Sequence, residues 1–136
     1  MEIKKLVEDA HENARQHGWH DNRRSFGELI ALCHSELSEA LEEHRDGREP
    51  SDTYYECNKC SYGPCNIRND TNKHQIGGFY CLDACKKPCG IPSELADVAI
   101  RIADMCGMYG IDLEAAIAEK MAYNKTRPFK HGGKVI

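Results

Sequence analysis

The sequence lacks a basic excess. Its 18 Lys and Arg stand against 22 Asp and Glu, a formal net charge of -4, so the electrostatic footprint of a nucleic-acid wrapper is missing and no nucleic-acid partner is expected. It also lacks any apolar run near the roughly 18 residues of a membrane span, and no membrane partner is expected. The opening stretch, Met1-Glu2-Ile3-Lys4-Lys5-Leu6-Val7-Glu8-Asp9, carries acids where a secretory signal carries an apolar segment. That argues for a reducing, cytoplasmic compartment. Internal repeats and low-complexity tracts are missing too. With 136 residues, 40% of them hydrophobic, the chain reads as one domain, 1–136, with a modest core, and a modest core makes self-association an expectation.

What the chain has in quantity is cysteine. Of its eight, six crowd between Cys57 and Cys89. In a reducing compartment such crowding points first to a metal site and second to disulfides.

Periodicity predicts four helices and an all-α fold. Ile3, Leu6, Val7, Ala10 and Ala14 share one face of a helix over about Glu2 to His17, with Gly18 as its stop. Ser25 and Glu28 form a capping-box pattern ahead of a second helix. Its apolar stripe is Phe26, Leu29, Ile30, Cys33, Leu37, Ala40 and Leu41, and it ends near Gly47. A third helix starts near Pro92 with the stripe Leu95, Val98, Ala99, Ile102, Met105, Cys106 and Tyr109, and closes at Gly110. Asp112 caps a fourth, with Leu113, Ala116, Ile117 and Met121 inside. The tail from Arg127 to Ile136 reads as an extension that orders on docking. Residues 51–89 carry no helical period and read as a Cys-rich, irregular insert between helices two and three. A loop that long inside a compact domain needs a staple.

Two carboxylate pairs stand out, Glu36-x-x-Glu39 on the second helix and Glu94-x-x-Asp97 on the third. A spacing of three places both members of a pair on one helix face. Each acid immediately precedes an expected core residue (Leu37, Ala40, Leu95, Val98), so each acidic stripe flanks a buried one. If the two helices pack together, four carboxylates converge at the edge of their seam. Converging like charges repel, and a cation cancels that cost. An all-carboxylate set selects hard ions, Mg²⁺ or Mn²⁺, and Mg²⁺ keeps positions open for phosphate oxygens. The bland alternative is two solvated helix faces. A di-iron bundle would need Glu-x-x-His on two helices, and only Glu8-x-x-His11 fits.

The stretches His34-Ser35-Glu36-Leu37-Ser38-Glu39-Ala40-Leu41-Glu42-Glu43, Gly90-Ile91-Pro92-Ser93-Glu94-Leu95-Ala96-Asp97-Val98, Asn124-Lys125-Thr126-Arg127-Pro128 and His131-Gly132-Gly133-Lys134 resemble the MazG-like all-α nucleoside triphosphate pyrophosphohydrolases. The resemblance covers about residues 1–49 and 90–136. The chain departs from the family in the Cys-rich insert that separates the two halves of the motif. The resemblance implies a four-helix bundle, a homodimer or homotetramer, and hydrolysis of a (deoxy)nucleoside triphosphate to the monophosphate and pyrophosphate. It implies that Glu36, Glu39, Glu94 and Asp97 ligate Mg²⁺, with Glu36 or Glu39 also activating the attacking water. In related dCTP-hydrolysing enzymes aromatics near the position of Trp19 and His20 stack on the base; the alternative for Trp19 is a plug in the corner between the first two helices.

Lys120, Asn124, Lys125 and Arg127 suit triphosphate oxygens, or merely complement a helix dipole. Arg101 suits a phosphate, or an i, i+4 bridge to Asp97, and Asp104 continues the acidic stripe as a supporting group. Cys33 and Cys106 lie on apolar stripes and read as buried thiols.

The insert's pattern is Cys57-x2-Cys60-x4-Cys65-x15-Cys81-x3-Cys85-x3-Cys89. Structural zinc takes four thiolate or imidazole ligands, often from C-x2-4-C knuckles, and zinc would give a Gly/Pro-rich insert its shape. Six candidates for four places leave the ligands open, with disulfides and free thiols as alternatives. Two other functions fit the same residues. One is a zinc-stapled helical protein-binding module without catalysis. The other is a related enzyme such as a phosphoribosyl-ATP pyrophosphohydrolase.

Overall fold

A computed structural model describes residues 2–57, 65–67, 75–76, 79–80 and 86–128, with side chains over 2–56 and 87–128. The described chain is mostly helical: α1 (Ile3–Gln16), α2 (Phe26–Arg45), α3 (Ile91–Tyr109) and α4 (Leu113–Lys125). Their ends follow from local chemistry. After α1, the Trp19 N–H donates to the Ala14 carbonyl at 3.0 Å and the Gly18 N–H to Arg15 at 3.1 Å. This double bond pattern needs a left-handed residue, and Gly18 supplies it with φ 72°. The same pair of bonds closes α2 (Gly47 to His44, Arg48 to Glu43) and α3 (Gly110 to Gly107, Ile111 to Cys106). Asp112 caps α4 by accepting the Ala115 N–H at 2.9 Å. Helix α3 starts at Ile91, one residue before the expected Pro92. Pro92 still falls in the first turn, where its missing N–H forfeits no helical bond.

The chain divides into two compact units, residues 1–26 with 100–136, and residues 27–99. The first holds α1, the C-terminal half of α3, and α4. Its buried apolar residues are Ala10, Ala14, Ala103, Met105 and Cys106. Small side chains here let backbones approach, most closely at Gly107, where an added Cβ would lie 2.6 Å from the His11 Cβ. Phe26 and Tyr109 pack edge to face with ring centroids 5.0 Å apart.

The second unit holds most of α2, the N-terminal half of α3 and the insert. The described residues of the insert include short strands, which the sequence did not suggest. They are β1 (Tyr54–Cys57), β2 (Cys65–Ile67), β3 (Gln75–Ile76), β4 (Phe79–Tyr80) and β5 (Lys86–Cys89). They form an antiparallel sheet in the order β2-β1-β5 and a separate β3-β4 ribbon. These strands use aromatic and β-branched residues (Tyr54, Tyr55, Ile67, Ile76, Phe79, Tyr80), but runs of two to four residues are too short to show alternation.

The β1–β5 ladder pairs Tyr54 with Cys89 through Cys57 with Lys86 and forms the insert's base. The Tyr54 hydroxyl donates to Glu43 Oε1 at 2.8 Å. The Arg48 guanidinium lies 4.1 Å from the centre of the Tyr54 ring. Burial, then the Glu43 bond, pushes the Tyr54 hydroxyl pKa up to about 12. Gly90 joins this base to α3 with φ 98°; a Cβ there would sit 2.5 Å from the Asp52 carbonyl oxygen, so only glycine fits.

One expectation about the core is overturned. Leu37, Leu41 and Leu95 are 46%, 57% and 48% exposed, whereas Cys33, Glu36 and Ala40 are the buried residues of α2. Cys33 and Ala40 are buried as expected, but the inward face is turned from them toward Glu36 and away from the leucines. Met121 is also exposed, and α4 has no buried residue.

Candidate metal centre

Helix α2 carries Glu36 and Glu39, and the N-terminal half of α3 carries Glu94 and Asp97, all within the second unit. Carboxylate oxygens of Glu36, Glu39 and Glu94 lie within 4.8 Å of one another. Glu36 and Glu94 are buried, at 6% and 9% exposure, and Glu39 is exposed. Asp97 is exposed and stands outside this trio, yet its charge reaches the site. The Glu94 carboxyl is held above the ordinary glutamate range, first by burial, then by the charges of Glu39, Asp97 and Glu36; Lys87 pulls weakly the other way. A buried carboxylate facing three others is costly to ionise, and a divalent cation among them removes that cost. The donors are all carboxylate oxygens, the set that suits Mg²⁺ or Mn²⁺. The residues thus fit the ion.

The sequence placed these acids at the rim of a leucine-lined seam. The structure brings three of them together but reverses their setting: the acids at positions 36 and 94 point inward while Leu37 and Leu95 face outward. The reason is that Cys33, Glu36 and Ala40 fall on one helix face at spacings of three and four, and two of these three are small enough to let a carboxylate share their stripe.

The other expected groups lie in the first unit. Lys120, Asn124 and Lys125 are exposed along the last turns of α4, and Arg127 is exposed two residues beyond it. The Lys120 ammonium sits 5.3 Å from the Tyr123 ring centre, and the Asn124 carbonyl accepts the Arg127 N–H at 3.2 Å. Trp19 is 46% exposed and is no buried plug. Arg101 is half-buried on α3.

His20 and Asp104 meet each other and His11 in the first unit. His20 Nε2 lies 2.8 Å from Asp104 Oδ1, and His11 Nδ1 lies 2.9 Å from the same oxygen. Asp104 is buried; seven residues beyond Asp97, it lies near the same face of α3 two turns on, and there it meets the two histidines and not Glu36, Glu39 or Glu94. His11 was legible only as half of a di-iron pattern. The signal that would have found it is its spacing from Val7 and Ala14, which puts it on the inward face of α1.

Among the described cysteines, Cys33, Cys89 and Cys106 are buried and in no disulfide. Burial raises the pKa of Cys89 and Cys106, which favours the neutral thiol. The Cys89 thiol lies 3.6 Å from the Lys87 carbonyl. Cys57 and Cys65 occupy one rung of the β1–β2 ladder. Cys60, Cys81 and Cys85 lie outside the described residues, as do residues 131–134 of the C-terminal stretch.

Among the described residues no helix is long and apolar enough to cross a membrane. No protein family, no curated protein and no solved structure matches the chain.

Proposed function

We propose that this protein is a Mg²⁺-dependent nucleoside triphosphate pyrophosphohydrolase of the MazG-like kind, working as a homodimer or homotetramer. The observation that carries the reading is the meeting of Glu36 and Glu39 from α2 with Glu94 from α3, with the Asp97 charge acting on Glu94. Glu36 and Glu94, the buried pair, would hold Mg²⁺ or Mn²⁺, with Asp97 adding negative charge, and the bound ion would acidify a water and offset negative charge on the triphosphate. Glu39, the exposed member of the trio, orients the attacking water and takes its proton. The water oxygen bonds to phosphorus, the bond of the α–β anhydride bridge breaks, and its electron pair leaves on the departing phosphate oxygen. Lys120, Asn124, Lys125 and Arg127 supply donors for phosphate oxygens, and Trp19 an exposed ring for the base. Structural zinc held by the insert's cysteines belongs to the same proposal.

The exposed leucines 37, 41 and 95 favour one second reading, a helical module that docks on a protein without catalysis. A panel of ribo- and deoxyribonucleoside triphosphates and phosphoribosyl-ATP, read by pyrophosphate release with Mg²⁺, separates the readings. The wild type is expected to release pyrophosphate from one or more nucleoside triphosphates, and Glu39→Gln to lose about 10²- to 10⁴-fold in kcat with its thermal midpoint kept. Release from phosphoribosyl-ATP alone would move the protein to the related enzyme. No release from any member would end the catalytic reading.

A further inference from the structure

The first unit contains a second set of converging ligand atoms, chemically unlike the carboxylate cluster. We infer that His11, His20 and Asp104 form a site for a first-row transition-metal dication, with Zn²⁺ as the reference ion. The three residues come from separate segments: α1, the turn that follows it, and the C-terminal half of α3. A ring nitrogen of each histidine and a carboxylate oxygen of Asp104 lie within 4.8 Å of one another. The two imidazoles approach each other with centroids 5.2 Å apart and planes inclined at 54°. Instead of taking one carboxylate oxygen each, both aim at Oδ1, at 2.9 and 2.8 Å.

Around a tetrahedral zinc, ligand atoms about 2.0–2.1 Å from the ion stand about 3.3 Å from each other. Moving the two nitrogens back by about half an ångström reaches that spacing, and the ion then replaces the two N–H bonds. Two imidazoles with one carboxylate are the donor set of zinc and non-haem iron sites that keep an open position. Magnesium prefers an all-oxygen set, so the two clusters select different metals. Three features point to a built site. Asp104 is buried at 8% exposure. Gly107, one turn below it, is the residue whose missing Cβ lets the His11 side chain lie against α3. Finally, His20 also lines a cavity of about 380 Å³ with Glu12, Arg15, Gln16 and Asp21, which gives water or a small anion access to the His20 side.

The test is a Zn²⁺ titration of the full chain with Mg²⁺ in excess, so that the carboxylate cluster is already occupied. Ring resonances of ¹⁵N-labelled histidine and calorimetric stoichiometry are read together. In the wild type the His11 and His20 ring nitrogens are expected to shift with Zn²⁺ and to stay still with Mg²⁺ alone. His11→Gln and His20→Gln are each expected to bind one equivalent fewer, whatever the insert's cysteines take up. Asp104→Asn, which keeps size and hydrogen-bonding capacity, gives a second variant if a histidine variant does not fold. Unmoved His11 and His20 resonances at zinc saturation, or the same stoichiometry in wild type and folded variants, would overturn the inference. Neither result depends on nucleotide hydrolysis.

Discussion

When Glu94 ionises, it does so with Glu39, Asp97 and Glu36 facing it and little water around it. Its pKa is therefore higher in the folded protein than in the unfolded chain, and the sign of the pH effect follows. Below the ordinary glutamate value both states hold the proton and no cost arises. As the pH rises, the unfolded chain releases its proton first and stability falls until the raised folded value is passed. Without metal, stability is expected to fall through this group as the pH rises from the ordinary glutamate range toward neutrality. In Glu94→Gln the drop should be missing, and in the wild type Mg²⁺ should restore the loss at neutral pH. Urea unfolding at several pH values in chelator checks this. Equal pH profiles for wild type and variant would show that Glu94 feels no such field.

At the scale of elements, helix ends were legible because each is written in one or two residues. Gly18, Gly47 and Gly110 close α1, α2 and α3, and Asp112 opens α4, as their chemistry requires. Helix faces were less legible. On α2 the expected stripe holds for Cys33 and Ala40, but the buried face continues to Glu36 and not to Leu37 and Leu41, which hydrophobicity alone favours. The strands of the insert were illegible, because their pairing is set by register across distant segments, Tyr54 opposite Cys89 for instance. That register yields a prediction. Since Cys57 and Lys86 are paired, residues 58–85 can be replaced by Asn-Gly, a two-residue hairpin turn. The Tyr54–Glu43 bond and the Gly90 junction remain. The shortened chain is expected to fold, judged by circular dichroism, and to keep Mg²⁺-dependent pyrophosphate release within about tenfold. Loss of activity in a folded product would place the insert within the chemistry.

For the whole molecule, the exposed apolar side chains carry the argument. Leu37, Leu41 and Leu95 in one unit, and Phe26, Tyr109, Met121 and Tyr123 in the other, are exposed large hydrophobics. A small core predicted self-association from composition alone, and these residues say where to test it. Light scattering is expected to give a dimer or tetramer, and Leu37→Ser with Leu41→Ser to lower the mass; a wild-type monomer at high micromolar concentration would contradict this.

The four acids of the carboxylate site were legible as two i, i+3 pairs. The inward setting of Glu36 and Glu94 was not, nor was the His11, His20 and Asp104 cluster, whose members are 9 and 84 residues apart in sequence. The central claim is that carboxylates from α2 and α3 jointly hold one divalent ion. Electron paramagnetic resonance of Mn²⁺, titrated into wild type, Glu36→Gln and Glu94→Gln, tests it most directly. The expected result is a bound Mn²⁺ that Mg²⁺ displaces, with affinity at least about tenfold lower in each variant. Unchanged Mn²⁺ affinity when either helix loses its buried carboxylate would contradict the account.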